Sequence, residues 1–154
     1  LFHLASTLAP TAAPYDVALA NWYRAEDSIS THSDNEPQLR ARAPIFSFSW
    51  GAQRRFILKA KANADGSPLN PGALKLELVV GDGDLLVMGG ATQETHRHLV
   101  PPPKAGKRAR REFHPQGKAG SGSGEAKESE DPCSIPEGGR ANITIRSSSP
   151  EWAM

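Results

Sequence analysis

The stretch "THSDNEP", Thr31 to Pro37, sets a histidine and a carboxylate two residues apart, His32 and Asp34. Far downstream, "THRHLVP" offers His96 and His98. Two imidazoles and one carboxylate on one face of an octahedral cation leave three adjacent positions open. Non-haem Fe(II) centres use that arrangement to admit a bidentate ligand and dioxygen together. A structural zinc site asks for four closed ligands, usually including cysteine, and the chain has one cysteine, Cys133. Histidines in polar loops are also common without any metal, so the pair alone fits a plain surface loop as well. In "RANITIR", alternation puts Arg140, Asn142, Thr144 and Arg146 on one face and Ile143 and Ile145 on the other. Guanidinium forks grip carboxylates with two parallel hydrogen bonds, so that face suits a dicarboxylic acid. It equally suits the wet side of a half-exposed strand.

These groups need a frame. "LFHLASTLAPTAA" reads as the end of a helix closed by Pro10. "YDVALANWYR" reads as a strand with Val17, Leu19 and Asn21 on one face. "AEDSISTHSDNEPQLRARA" is polar without period and reads mostly as loop. "PIFSFSW" alternates Phe46, Phe48 and Trp50 with Ser47 and Ser49, a strand with one apolar face. "RRFILKAK" follows as a strand, and Gly51 between the two makes a hairpin plausible. "LKLELVV", Leu74 to Val80, alternates again, and "LLVMGG" is consistent with a buried strand. "RANITIR" is the last strand. Short strands punctuated by Gly and Pro point to a sandwich, barrel or jelly roll.

A length of 154 residues suits a single domain, 1–154, with one core. The net charge of +1 singles out no partner by bulk electrostatics. One cysteine excludes an internal disulfide and fits a reducing compartment. No apolar run is long enough to span a membrane. The chain opens on Leu1 without the basic start of a signal peptide, and reads as a piece of something longer. Residues 102–139 run from basic through Gly/Ser-rich to acidic with almost nothing to bury, so a long disordered surface insertion is expected there. Its "KAGKRARR" could touch nucleic acid or serve as a nuclear address, although a solvated charged loop is the blander reading.

Taken in order, "NWYR", "DSISTHSDNEP", "PIFSFSWGAQRRF", "GDLLVMGGATQETHRHLVP" and "RANITIR" resemble the AlkB-type Fe(II)- and 2-oxoglutarate-dependent dioxygenases, most of all those that repair alkylated DNA and RNA. The resemblance covers about residues 15–101 and 140–146. It implies an all-β-dominated double-stranded β-helix, a jelly roll, with a short N-terminal helix. It implies His32, Asp34 and His98 as iron ligands, with Fe(II), 2-oxoglutarate and O2 as the cofactor set. Asn21, Tyr23, Arg140, Asn142 and Arg146 would hold the co-substrate, and Asn35 and Glu36 would meet the damaged base, the carboxylate accepting from an exocyclic amine. Arg54 matches a recurrent arginine of the family with no chemical role assigned.

The implied reaction is oxidative demethylation of N-alkylated bases of the 1-methyladenine and 3-methylcytosine type, coupled to 2-oxoglutarate decarboxylation and formaldehyde release. Alkylated DNA or RNA would be the partner of a monomeric nuclear or cytoplasmic enzyme. Related dioxygenases acting on modified RNA or protein, and an inactive nucleic-acid-binding fragment, are the rival readings. Three departures stand out. His96 replaces a usual aromatic residue, the insertion before Arg140 is long, and the family's N-terminal part that covers the base is not seen.

Overall fold

The computed structural model describes residues 1–10, 14–63, 65–67, 69, 75–103, 135 and 138–151. Within them a short helix, α1 (Phe2–Leu8), precedes β1 (Val17–Tyr23), β2 (Ile29–His32), β3 (Ile45–Gly51), β4 (Arg54–Ala60), β5 (Lys75–Val80), β6 (Leu85–Met88), a single helical turn α2 (Thr92–Thr95), β7 (His96–Val100) and β8 (Arg140–Arg146). The strands form two four-stranded sheets, β1-β8-β3-β6 and β2-β7-β4-β5. All pairings are antiparallel. This is the mainly β jelly-roll architecture expected from the strand pattern. The insertion lies almost wholly outside the described residues, as do Leu74, Cys133 and the "KAGKRARR" segment. Among the described residues no helix is long and apolar enough to cross a membrane.

Two apolar clusters hold the sheets. One lies between them: Ile45, Phe56, Val80, Met88 and Val100. The other lies on the outer side of the first sheet, where Phe46, Phe48 and Ile145 meet Ala5 of α1 and Tyr15. The N-cap position of α1 carries no side-chain cap, and the helix is only seven residues long. Such a helix is marginal alone, so its packing through Ala5 into this cluster is what keeps it folded. Phe46, 1% exposed, contributes about 2–3 kcal/mol by leaving water.

Three readings of the sequence are corrected. β3 and β4 do not form a hairpin, because β3 pairs with β6 and β8 whereas β4 pairs with β5 and β7. The chain changes sheet at Gly51, whose φ of +86° and whose approach to Gly139 exclude a side chain: a Cβ there would lie 2.6 Å from the Gly139 carbonyl oxygen. The polar stretch read as loop contains β2, whose register with β7 rests on Ile29–Val100 and His32–His98 with an irregularity between. With one apolar residue in four, tertiary pairing rather than local preference makes it a strand. β6 is an edge strand, not a buried one: Met88 faces the inner cluster while Leu85 and Val87 stay exposed. Leu76 on edge strand β5 is likewise 48% exposed.

The serine face of β3 is not wet. Ser47 and Ser49 are buried, and so are Arg140, Asn142, Thr144 and Arg146 of β8. Both strands turn apolar residues outward under α1 and polar residues into the space between the sheets. That inversion builds the site.

Candidate functional site

β2 and β7 pair so that His32 and His98 face each other, with ring centroids 4.2 Å apart. Asp34, two residues past His32, brings its carboxylate 3.5 Å from His32 Nε2 and 3.8 Å from His98 Nε2. One ligand atom from each of these residues lies within 4.8 Å of the other two. His98, not His96, belongs to the cluster.

The hydrogen bonding of one imidazole and the burial of the other suit metal ligation. His32 Nδ1 sits 2.9 Å from the Ser30 carbonyl oxygen. A carbonyl only accepts, so Nδ1 carries a proton towards Ser30, and Nε2 is the nitrogen turned to the Asp34 carboxylate. Burial pushes the His98 imidazole down to about 4, with the neighbouring His32 and Arg146 adding to the shift and Glu36 opposing it. His98 is therefore neutral near pH 7. Asp34 also lies 3.8 Å from it, but that carboxylate is closer to Arg146 Nη2, at 3.1 Å. Two imidazole nitrogens and one carboxylate, with one ligand atom from each within 4.8 Å of the others, form a donor set that fits a divalent first-row cation.

A cavity of about 150 Å³ opens from this cluster between the sheets, lined by Asn21, Tyr23, Ser47, Arg140, Asn142 and Arg146 among others. Arg140 is 2% exposed. It donates from Nη2 to Ser49 Oγ at 2.7 Å and from Nη1 to the Val80 carbonyl at 3.2 Å, and lies 6.0 Å from the Tyr23 ring centroid. Its Nε has no hydrogen-bond partner among the described residues, and neither has Nε of Arg146. Burial raises the Tyr23 phenol, so it stays a donor at neutral pH. Asn142 gives its amide protons to Ser47 Oγ and the Phe48 carbonyl, at 2.7 and 2.8 Å. Its side-chain oxygen is not engaged by either bond. Two buried guanidinium groups, one beside the metal cluster and one deeper, suit an anion with two carboxylates.

Glu36 lines this cavity. Asn35 does not; it lines a neighbouring cavity of about 260 Å³ with Arg40, Arg42 and Glu94. The two cavities share Asp34, Glu36 and Arg146. Arg54 gains a role that its sequence context does not reveal. Its Nη2 donates to the carbonyls of Arg24, Ala25 and Gly138, tying the end of β1 to the start of β8. Gln93 falls within the stretch that carries the resemblance but has no role assigned there, and Ser47 and Ser49 escape sequence reading altogether. The alternation of "FSFS" is their only trace, and it points as readily to solvent.

A jelly roll with a two-histidine, one-carboxylate cluster at the mouth of an arginine-bearing cavity defines a non-haem metal oxygenase scaffold. The chain belongs to the 2OG-Fe(II) oxygenase superfamily, whose family model matches residues 1–146. Fe(II), 2-oxoglutarate and O2 are the cofactor set of that family. Its AlkB-type character shows in its relatives. It is 36% identical over 92 residues to the alpha-ketoglutarate-dependent dioxygenase alkB homolog 3 of Mus musculus, covering 59% of this chain and 32% of that protein. It is 38% identical over 93 residues to the Homo sapiens protein of the same name, covering 59% and 32%. To the DNA oxidative demethylase ALKBH2 of Homo sapiens it is 33% identical over 92 residues, covering 59% and 35%. The chain thus spans about a third of the length of the curated relatives it matches. In fold it resembles the structure of OsALKBH1, with a TM-score of 0.50 at 20% identity over 94% of this chain and 56% of that one.

Proposed function

We propose that the chain carries the Fe(II)- and 2-oxoglutarate-binding centre of an oxidative demethylase acting on N-alkylated bases in DNA or RNA. The observation that carries this reading is the His32–Asp34–His98 cluster opening onto a cavity with two buried arginines. When bound, Fe(II) with 2-oxoglutarate and O2 supplies oxidative decarboxylation coupled to hydroxylation of an N-methyl group, which leaves as formaldehyde. The names of the relatives support nucleic acid as substrate, and 1-methyladenine and 3-methylcytosine are the target types we propose.

The residues divide the work. His32, Asp34 and His98 would hold Fe(II) through one ligand atom each. Arg140, a buried guanidinium lining the cavity, supplies the charge for the far carboxylate of 2-oxoglutarate, and the Tyr23 hydroxyl and Asn21 amide add hydrogen bonds. Arg146 supports the carboxylate nearer the metal and holds Asp34 in place. Asn142 packs between the two arginines. Glu36, exposed at the rim, accepts from the exocyclic amine of adenine or cytosine. Asn35, which lines the adjoining cavity, meets the substrate beyond the base itself. A nuclear or cytoplasmic setting accords with this substrate.

The test is anaerobic. Fe(II) and 2-oxoglutarate added to the purified chain should give a weak visible charge-transfer band that His98→Ala abolishes. An oligonucleotide bearing 1-methyladenine should then yield formaldehyde and succinate in equal amounts on admission of air. A folded sample that gives no band overturns the metal and co-substrate reading. A band without turnover of either methylated base overturns the substrate reading.

A further inference from the structure

Asp34 lies beyond the last register pair of β2 with β7, His32–His98, so the sheet ladder does not fix its backbone. A side chain does. Gln93 Oε1 accepts the Asp34 backbone N–H at 2.9 Å, across 59 residues of sequence. The preceding residue is tied to the same segment, because Ser33 Oγ donates to the His96 carbonyl at 2.9 Å. Gln93 is itself braced. Lys61 Nζ donates to its carbonyl oxygen at 2.8 Å, and its Nε2 reaches Met88 Sδ at 3.5 Å. The turn that carries it, α2, runs directly into β7 and hence to His98.

We infer that Gln93 is a positioning residue for the metal centre. It fixes the Asp34 backbone relative to the β7 segment that bears His98, while Arg146, on the opposite sheet, fixes the Asp34 carboxylate. The three donor atoms come from two separate stretches of chain, and their spacing depends on how those stretches are locked together. Three adjacent donors bind a small cation well only if that spacing is set before the cation arrives. Ser33 and Gln93 make the lock at consecutive residues, one donating to the β7 segment and the other accepting from the Asp34 backbone. The inference rests on the proposed metal centre, but concerns a residue that touches neither metal nor co-substrate.

Co(II), a redox-stable probe, separates the two claims. The unaltered chain should bind one Co(II) with a visible spectrum that His98→Ala removes; failure of that step overturns the metal centre itself and not the role of Gln93. Given that binding, Gln93→Met keeps side-chain length and apolar packing but loses the acceptor, and should weaken Co(II) binding about tenfold. Gln93→Glu retains an acceptor oxygen and should bind no more weakly than the unaltered chain. Equal affinity in the Met variant overturns the inference, and so does an equal loss in the Glu variant. If the Met variant does not fold, amide exchange in the unaltered chain decides. The Asp34 N–H should exchange far more slowly than that of exposed Asn35, and equal rates overturn the inference.

Discussion

Replacing Ser49 by alanine removes one oxygen from the interior and should cost far more than a serine normally does. Ser49 is 2% exposed, and its Oγ accepts from Nη2 of Arg140, itself 2% exposed, at 2.7 Å. Arg140 has one other protein acceptor among the described residues, the Val80 carbonyl at 3.2 Å, and its Nε already lacks a partner. Loss of Oγ therefore leaves a buried cationic donor short of an acceptor. Hydrogen bonds to charged groups are worth about 1.5–3 kcal/mol, so Ser49→Ala should cost about 2 kcal/mol. For a domain of this size that lowers Tm by roughly 4–8 °C. Ser47→Ala should cost less, about 1 kcal/mol, because Asn142 is neutral and keeps the Phe48 carbonyl as a second acceptor. Urea denaturation with the metal-free chain measures both, with exposed Ser28→Ala as the control. A Ser49→Ala loss no larger than the control's would mean that the serine face of β3 does not pair with β8. The polar interior would then be wrong as a description of the site. Adding a metal and 2-oxoglutarate should shrink the loss, since a carboxylate on Arg140 replaces the missing acceptor.

Below pH 6.5 the metal-free chain should lose stability through His98. The unfolded chain takes up the proton near pH 6.5 and the folded one only near 4, so stability is full above 6.5, falls by about 3 kcal/mol on going down to 4, and is flat below for this group. The difference in urea stability between the unaltered chain and His98→Asn, followed across that range, isolates this contribution from the titrating carboxylates; a difference that does not change with pH refutes it. Arg54→Met should cost about 2 kcal/mol by removing the charge-assisted hydrogen bonds to the carbonyls of Arg24, Ala25 and Gly138, and Arg54→Lys should not rescue it because an ammonium lacks the fork. Chemical denaturation checks both, and full stability in the Lys variant would exclude the clamp. Gly51→Ala should cost more than about 2 kcal/mol, from the left-handed φ and the 2.6 Å approach to Gly139; an unchanged urea midpoint would show that the crossover can relax.

The strands easiest to read were those with apolar alternation and one covered face. β1, β3, β4 and β8 stand where the pattern of "VALANWY", "IFSFSWG", "RRFILKA" and "RANITIR" puts them. β2 and β7 were not legible, for a common reason. Their inward positions carry His32 and His98 instead of Val or Ile, so the residues that make the site erase the alternation that would have revealed the strands. Gly51 misled for another reason. A glycine between two strands serves a hairpin and a change of sheet equally well, and only the distant partners, β8 for one strand and β7 for the other, tell them apart.

The polar faces of β3 and β8 carry the deepest lesson of the fold. A strand with serines or arginines on alternate positions ordinarily turns them to water, because burying them uncompensated costs several kcal/mol. Here the two faces are buried against each other's chemistry. Ser49 meets Arg140 and Ser47 meets Asn142, a residue-by-residue match that neither segment shows alone. The apolar faces of the same strands are covered from the other side, where Phe46, Phe48 and Ile145 pack under Ala5 and Tyr15. Two-sided burial is what allows a polar face inside. Without the outer cluster, the energetically simpler register would turn the phenylalanines inward and the arginines out. α1, remote from the metal cluster, thus bears on whether Arg140 and Arg146 face a carboxylate or the solvent.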